Sequence, residues 1–80
     1  MDENRKEVKM GKIRPMPARD VVKILEKYGF RFISRGRHDK YRNEEKNITV
    51  PVPTSHGVIS NGVIQSLIRQ TGIPREEFEV

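Results

Sequence analysis

Residues 30–52, FRFISRGRHDKYRNEEKNITVPV, contain the pattern that decides the fold. Three runs in this stretch, residues 30–33, 38–43 and 48–52, have the aromatic and β-branched content or the period-two alternation of strands. Gly36 marks a tight turn between the first two runs, and the polar residues 44–46 mark a hairpin turn between the second and the third. The stretch therefore predicts three antiparallel strands in a meander.

One helical pattern precedes this meander in the sequence and another follows it. Pro17 opens the first helix, at a position where a missing amide costs nothing, and Gly29 ends it. Ser60 or Asn61 can cap the second helix, and Gly72 closes it. Apolar residues recur at helical spacing in both, namely Val21, Ile24, Leu25 and Tyr28 in the first, and Val63, Ile64, Leu67, Ile68 and Thr71 in the second.

An order of helix, three strands and helix predicts a small two-layer α+β sandwich, with both helices on one face of the sheet. Phe30 and Phe32 are expected on one face of the first strand, and Pro74 starts a last turn that returns Phe78 to the core. Pro51 cannot donate to a ladder, so the third strand ends there or lies at an edge. Residues 1–16 alternate in charge with few apolar side chains and are predicted to form a flexible arm, while residues 17–80 form a single domain.

The composition limits the kinds of site and partner. With 16 basic and 11 acidic residues, the chain has a net charge of +5. A basic excess of this size suits nucleic acid or another polyanion as partner, and it equally suits a charge that only keeps a small protein soluble. There is no cysteine, and His38 and His56 lack metal-ligand spacing, so we expect no metal and no cofactor. No apolar run is long enough for a signal peptide or a membrane span, so the expected location is the cytoplasm, without a membrane partner.

His38 is the main candidate for a catalytic residue. In a strand that continues to Asn43, residues two apart share a face, which would place His38 beside Lys40 and Arg42 on the uncovered side of the sheet. Gly36 supports this site as the turn, and the cations predicted to bind phosphate are Arg35, Arg37, Lys40 and Arg42. The alternative is an ordinary solvated strand face. His56 is interpreted as a loop residue, with a secondary substrate contact as the other reading.

Such a surface suits cleavage of RNA. Cations orient a phosphodiester and stabilise the charge that develops on it, and histidine is the side chain that exchanges a proton near neutral pH. General acid–base help of this kind is typically worth about 10²–10⁴-fold in rate. The RNA 2′-hydroxyl supplies an internal nucleophile, so the reaction needs no metal in principle.

Five pieces of the chain, in order, resemble the HicA (YcfA-like) family of toxin messenger-RNA interferases. The resemblance extends from residue 17 to residue 79. The pieces are residues 21–30, which resemble the family's first helix running into Gly-Phe; residues 36–42, its Gly-Ser-His-His-x-aromatic segment; residues 48–52, its third strand; residues 62–73, its closing helix; and residues 75–78, its final Glu-Glu-Phe. No single piece is specific, whereas five in this order and spacing are fairly specific.

The resemblance implies a fold like the double-stranded-RNA-binding domain, with the order α-β-β-β-α. It also implies metal-independent cleavage of messenger RNA with one essential histidine, which is His38 by position, and a HicB-type antitoxin as protein partner. Two residues depart from the family's segment. Arg37 replaces a small residue, and Asp39 replaces a second histidine, so that a negative charge opposes RNA locally.

Two further hypotheses stand beside the endoribonuclease. The first is a non-catalytic RNA-binding module of the same fold, which recognises RNA by shape and phosphate contacts. The second is a protein-binding subunit whose basic face docks an acidic partner. RNA cleavage that depends on His38 separates the endoribonuclease from both.

Overall fold

The computed structural model describes residues 12–36 and 38–79. The elements are β1 (Met16–Pro17), α1 (Ala18–Lys27), β2 (Arg31–Ser34), β3 (Asp39–Asn43), β4 (Ile48–Val52), β5 (Val58–Ile59) and α2 (Asn61–Thr71). Two short 3-10 helices, Thr54–His56 and Arg75–Phe78, precede β5 and follow α2. The α+β class and the helix, three strands, helix order are confirmed, and this order is consistent with a fold like the double-stranded-RNA-binding domain.

The three longer strands form the predicted antiparallel meander, in the order β2-β3-β4. Tyr41, at the centre of β3, lies opposite Phe32 on one side and Val50 on the other. β4 pairs only with β3 among the described strands of this sheet, so Pro51 lies on an edge, as its missing amide requires. The strands β2 and β3 begin one residue later than predicted, at Arg31 and at Asp39. His38 therefore lies just before β3 rather than within it.

The end of α1 follows from the glycine in the sequence. Gly29 has a φ of +87°, and its N–H donates to the carbonyl of Glu26 at 3.0 Å. The N–H of Phe30 donates to the carbonyl of Leu25, also at 3.0 Å. These two bonds form a Schellman motif, which needs a left-handed residue at this position. Pro17 is the residue before the helix rather than its first residue, so the predicted start was one position too early.

The second helix and the last turn agree with the predictions. Ser60 caps α2, since its side chain accepts from the N–H of Val63 at 3.3 Å. Gly72 closes the helix with a φ of +74°. The 3-10 helix after Pro74 brings Phe78 fully into the core.

The folded domain begins before residue 17, where the predicted arm ends. Ile13 and Met16 are buried, and β1 pairs with β5 in a two-stranded sheet that the sequence did not predict. Asn61 fixes the chain here, because its side-chain amide donates to the carbonyl of Ile13 at 2.9 Å. Two apolar residues of the charged segment, Ile13 and Met16, are therefore part of the core. The rest of the predicted arm, residues 1–11, lies outside the described residues.

A single core cluster joins both helices to the inner face of the sheet. Its fully buried members include Val21 and Leu25 from α1, Val50 and Val52 from β4, and Ile64 and Leu67 from α2. Phe30 and Phe32, predicted to share one face of the first strand, differ in their burial. Phe32 lies on the edge strand β2 and is 44% exposed, whereas Phe30 precedes this strand and is buried. The register of β2 also shifts between Phe32 and Ser34, which leaves Ile33 exposed too.

No helix among residues 12–36 and 38–79 is long and apolar enough to cross a membrane.

Candidate functional site

His38 is exposed and lines a groove at the edge of the sheet. The groove has a volume of about 680 Å³ and runs between the end of β4 and one side of α2. Pro51 and Pro53 form part of the wall, and Pro51 is the cross-strand partner of Lys40. His38 therefore lies where the basic strand β3 meets the groove. The strand pattern in the sequence did not predict this groove.

The side of α2 that faces the groove carries polar groups that sequence reasoning missed. Val63, Ser66 and Gln70 are spaced by three and four residues, so they lie on one helix face, and all three line the groove. Ser60, predicted only as a cap, lines it as well. Their helical spacing is visible in the sequence, but nothing in the sequence shows that His38 lies opposite this face.

Asp39 is turned away from the basic face. Its Oδ2 accepts a hydrogen bond from the Thr54 hydroxyl at 2.9 Å, and its Oδ1 lies 3.6 Å from the Nε of Arg35. The carboxylate, whose side chain is only 17% exposed, is thus shared between a hydroxyl and a guanidinium. The electrostatic repulsion of RNA expected from the Asp39 carboxylate is reduced, because this carboxylate already has two partners.

Lys40 and Arg42, the two residues of β3 predicted to bind phosphate, differ in their surroundings. Lys40 is exposed on the uncovered side of the sheet, where its cross-strand neighbours are Ser34 and Pro51. Arg42 lies on the same side but is held by its own hairpin. Its guanidinium donates to the Thr49 hydroxyl at 2.8 Å and to the Asn47 side chain, and its Nε lies 3.2 Å from a carboxylate oxygen of Glu44.

Arg31 is a cation of this face that the sequence analysis did not single out. It lies directly opposite Arg42, so the two side chains share the uncovered side. Pairing two like charges is unfavourable in itself. Here the Glu44 carboxylate beside Arg42 offsets the repulsion.

The turn before His38 carries Arg35 and Gly36. Arg35 is 77% exposed, and its guanidinium lies 5.4 Å from the centre of the Phe32 ring. Gly36 lies in the connection between β2 and β3, as predicted, yet its φ is not left-handed and a Cβ there would meet no atom within 4 Å. The backbone therefore does not require glycine at this position. Arg37 lies outside the described residues.

Tyr28, Tyr41 and Glu77 have shifted pKa values, and none of these three residues lines the groove. Burial raises the pKa of Tyr41, with a smaller contribution from the charge of Asp39. A hydrogen bond from the Tyr28 hydroxyl, at 2.6 Å, lowers the pKa of Glu77, and the same bond raises the pKa of Tyr28. Within residues 12–36 and 38–79, no three His, Asp or Glu side chains come together as a metal site. Metal independence stays a prediction.

Comparison with known proteins supports the resemblance noted in the sequence. The family model described as the HicA toxin of bacterial toxin–antitoxin systems matches residues 18–73. Comparisons with curated proteins and with solved structures return no match. The matched segment covers more than half of the chain and contains both helices, all three strands of the larger sheet and His38. The chain belongs to the HicA toxin family of bacterial toxin–antitoxin systems.

Proposed function

We propose that this protein is an endoribonuclease that cleaves messenger RNA without a metal ion, with His38 as the general acid or base. The observation that carries the proposal is the position of His38, which is exposed, lines a groove and lies two residues from the exposed cation Lys40. Family membership supports a toxin that acts on RNA at a coarser level. The groove gives this histidine a place where a substrate can bind beside it.

The proposed chemistry is an internal transfer. The 2′-oxygen of a ribose attacks the adjacent phosphorus and the bond to the 5′-oxygen of the next nucleotide breaks, which leaves a 2′,3′-cyclic phosphate and a 5′-hydroxyl. The 2′-hydroxyl loses a proton and the leaving oxygen gains one. His38 performs one of these transfers, and water performs the other. A single histidine working in this way implies slow turnover.

The cations are assigned to phosphate binding in two groups. Lys40 and Arg35 are the exposed cations next to His38, and they bind the phosphate oxygens that gain charge during transfer. Arg42 contributes mainly a fixed positive field, because its guanidinium is already bound to its hairpin. Arg37 belongs to the proposed set by its place in the sequence alone.

The decisive experiment incubates purified protein with a messenger RNA in excess chelator. We expect cleavage by the wild type and by His56→Ala, the matched control with the second histidine removed, and no cleavage by His38→Ala. Because His38 is exposed, the thermal midpoint of His38→Ala should equal that of the wild type. Cleavage that persists in His38→Ala, or that stops with chelator in the wild type, would contradict the mechanism. A wild type that binds RNA and never cuts it would instead be the non-catalytic module.

We further propose that the antitoxin is of the HicB type and covers the basic face in the cytoplasm. The supporting observation is that Lys40 and Arg31 are both exposed on an uncovered sheet face, where an acidic surface can meet them. Expression of the toxin alone should arrest growth, and co-expression with a HicB-type protein should restore it. Growth arrest that the His38→Ala variant still causes would show that toxicity does not come from RNA cleavage.

A further inference from the structure

The groove beside His38 differs in charge from the surface around it. Its lining, within the described part of the chain, includes no Asp, Glu, Lys or Arg side chain. Cations lie outside it, with Lys40 on the strand face and Arg35 in the turn. His38 is therefore at a boundary between a cationic surface, which suits a phosphate, and a neutral concave surface, which suits an uncharged ring.

We propose that this groove is a subsite for one unpaired nucleobase of the RNA, read by Gln70 and Ser66. The inference rests on the proposed function, because the base belongs to a nucleotide next to the phosphate that His38 attends. Pro53 and Val58 supply apolar contact for the ring, and Val58 is otherwise a large exposed hydrophobe at 55%. The volume of about 680 Å³ lies within the range of about 300–1,000 Å³ typical of small-molecule sites.

The polar groups on α2 fit the edge of a base. The Gln70 amide offers both a donor and an acceptor, and the Ser66 hydroxyl offers either. Both line the groove, and Gln70 is exposed, so its amide is free to turn toward a ligand. Glutamine can make two parallel bonds to one base, which is worth about 5- to 150-fold in discrimination against the others. RNA-binding proteins read single strands through base edges in this way.

A binding measurement tests the subsite without relying on catalysis. Isotope-labelled His38→Ala protein is titrated with the four ribonucleoside 3′-monophosphates and, separately, with inorganic phosphate. We expect the nucleotides to shift the backbone amide signals of Val63, Ser66 and Gln70, with affinities that differ between bases. Inorganic phosphate should leave these three signals in place. Nucleotides that shift none of the three, or phosphate that shifts them equally, would overturn the subsite whether or not the wild type cleaves RNA.

A cleavage measurement tests which residues read the base. Cut sites are mapped on a mixed-sequence RNA for the wild type, Gln70→Ala and Gln65→Ala, the last being an exposed glutamine of α2 that does not line the groove. We expect the base preference of Gln70→Ala at one nucleotide position to fall by about 5- to 150-fold and that of Gln65→Ala to stay as in the wild type. An unchanged preference in Gln70→Ala would overturn its assigned role.

Gly62 offers a way to close the groove without harming the helix. It lines the groove, has no left-handed φ, and a Cβ there would meet no atom within 4 Å. Gly62→Leu should therefore fill the groove and improve helix propensity. We expect its thermal midpoint to hold or rise while cleavage falls at least tenfold. A variant that cleaves RNA normally but no longer binds the antitoxin would overturn the proposal and assign the groove to a protein contact.

Discussion

The hydroxyl of Thr54 donates to Oδ2 of Asp39 at 2.9 Å, and this bond ties the loop after β4 to the first residue of β3. Each of the two bonded residues follows a residue that lines the groove: Asp39 follows His38, and Thr54 follows Pro53. The bond therefore links two segments that line the groove. The acidic residue that departs from the family's usual histidine acts as a local brace.

Thr54→Val removes this brace while it keeps the shape of the side chain. A half-buried carboxylate then loses one partner, and we expect the free energy of unfolding to fall by about 1 kcal/mol. The rate of RNA cleavage should fall as well, because His38 is less firmly placed. Urea unfolding and a cleavage time course measure the two effects. Thr54→Ser keeps the hydroxyl and should restore both, and a Ser variant as impaired as Val would contradict the bracing role.

Lys40 and Arg42 should respond differently to neutralisation. Lys40→Gln removes an exposed cation, so RNA affinity should weaken and the slope of log affinity against log salt should decrease by about 0.7, as for one phosphate contact on a single strand. Stability should not change. Filter binding at several salt concentrations provides the measurement.

Arg42→Gln breaks contacts to Thr49, Asn47 and Glu44 within one hairpin. We therefore expect a fall of about 1 kcal/mol in the free energy of unfolding and a smaller change in the salt slope than Lys40→Gln produces. A stable Arg42→Gln protein with the larger change in slope would show that Arg42 is the main phosphate contact.

Gly29 and Gly36 form a matched pair for a test of backbone requirements. Gly29→Ala places a Cβ at a φ of +87° and 3.1 Å from Nδ2 of Asn43, whose amide donates to the carbonyl of Tyr28. We expect it to lower the free energy of unfolding by about 1–2 kcal/mol. Gly36→Ala meets neither obstacle and should change stability little. Thermal unfolding compares them, and equal losses would contradict the assigned backbone geometry.

The contact between α1 and the last turn should depend on pH. Glu77 accepts from Tyr28 and from Lys27, and these bonds lower its pKa. A carboxyl whose pKa is lower in the folded state adds stability above its unfolded pKa, and this stability is lost as the pH falls through the folded value. Glu77→Gln should therefore reduce the loss of stability between neutral pH and about pH 3.

The raised pKa of Tyr28 sets the alkaline limit of the same contact. A group whose pKa is higher in the folded state adds stability below its unfolded pKa, and this stability disappears as the pH rises through the folded value. Urea midpoints at several pH values measure both limits. Glu76→Gln is the control, since the Glu76 side chain makes no hydrogen bond or ion pair within the described residues and its charge is the smallest of the causes that raise the pKa of Tyr28. Equal pH profiles for Glu76→Gln and Glu77→Gln would contradict this assignment.

Local patterns were enough to predict both helices and the three longer strands of this fold. The alternation of Ile48, Val50 and Val52, the helical stripes and the glycines at helix ends describe interactions between near neighbours, which the sequence displays directly. The small β1–β5 sheet was not predictable in this way. It joins two-residue strands about forty positions apart, and neither strand is long enough to show an alternation.

The sequence by itself determined the α+β class and the family, and it singled out His38 and its neighbouring cations as candidates, because each of these inferences rests on residue types at short spacings. Only the tertiary structure decided what surrounds His38. Packing of α2 against β4 brings Ser66 and Gln70 to the groove that His38 lines, about thirty residues away in the chain. It also leaves Lys40 exposed and holds Arg42 in its hairpin, a difference that the spacing of the two cations in the sequence does not reveal. The physical reason is that spacing selects the face of a strand, while hydrogen bonds across strands and helix packing decide which side chains on that face remain available.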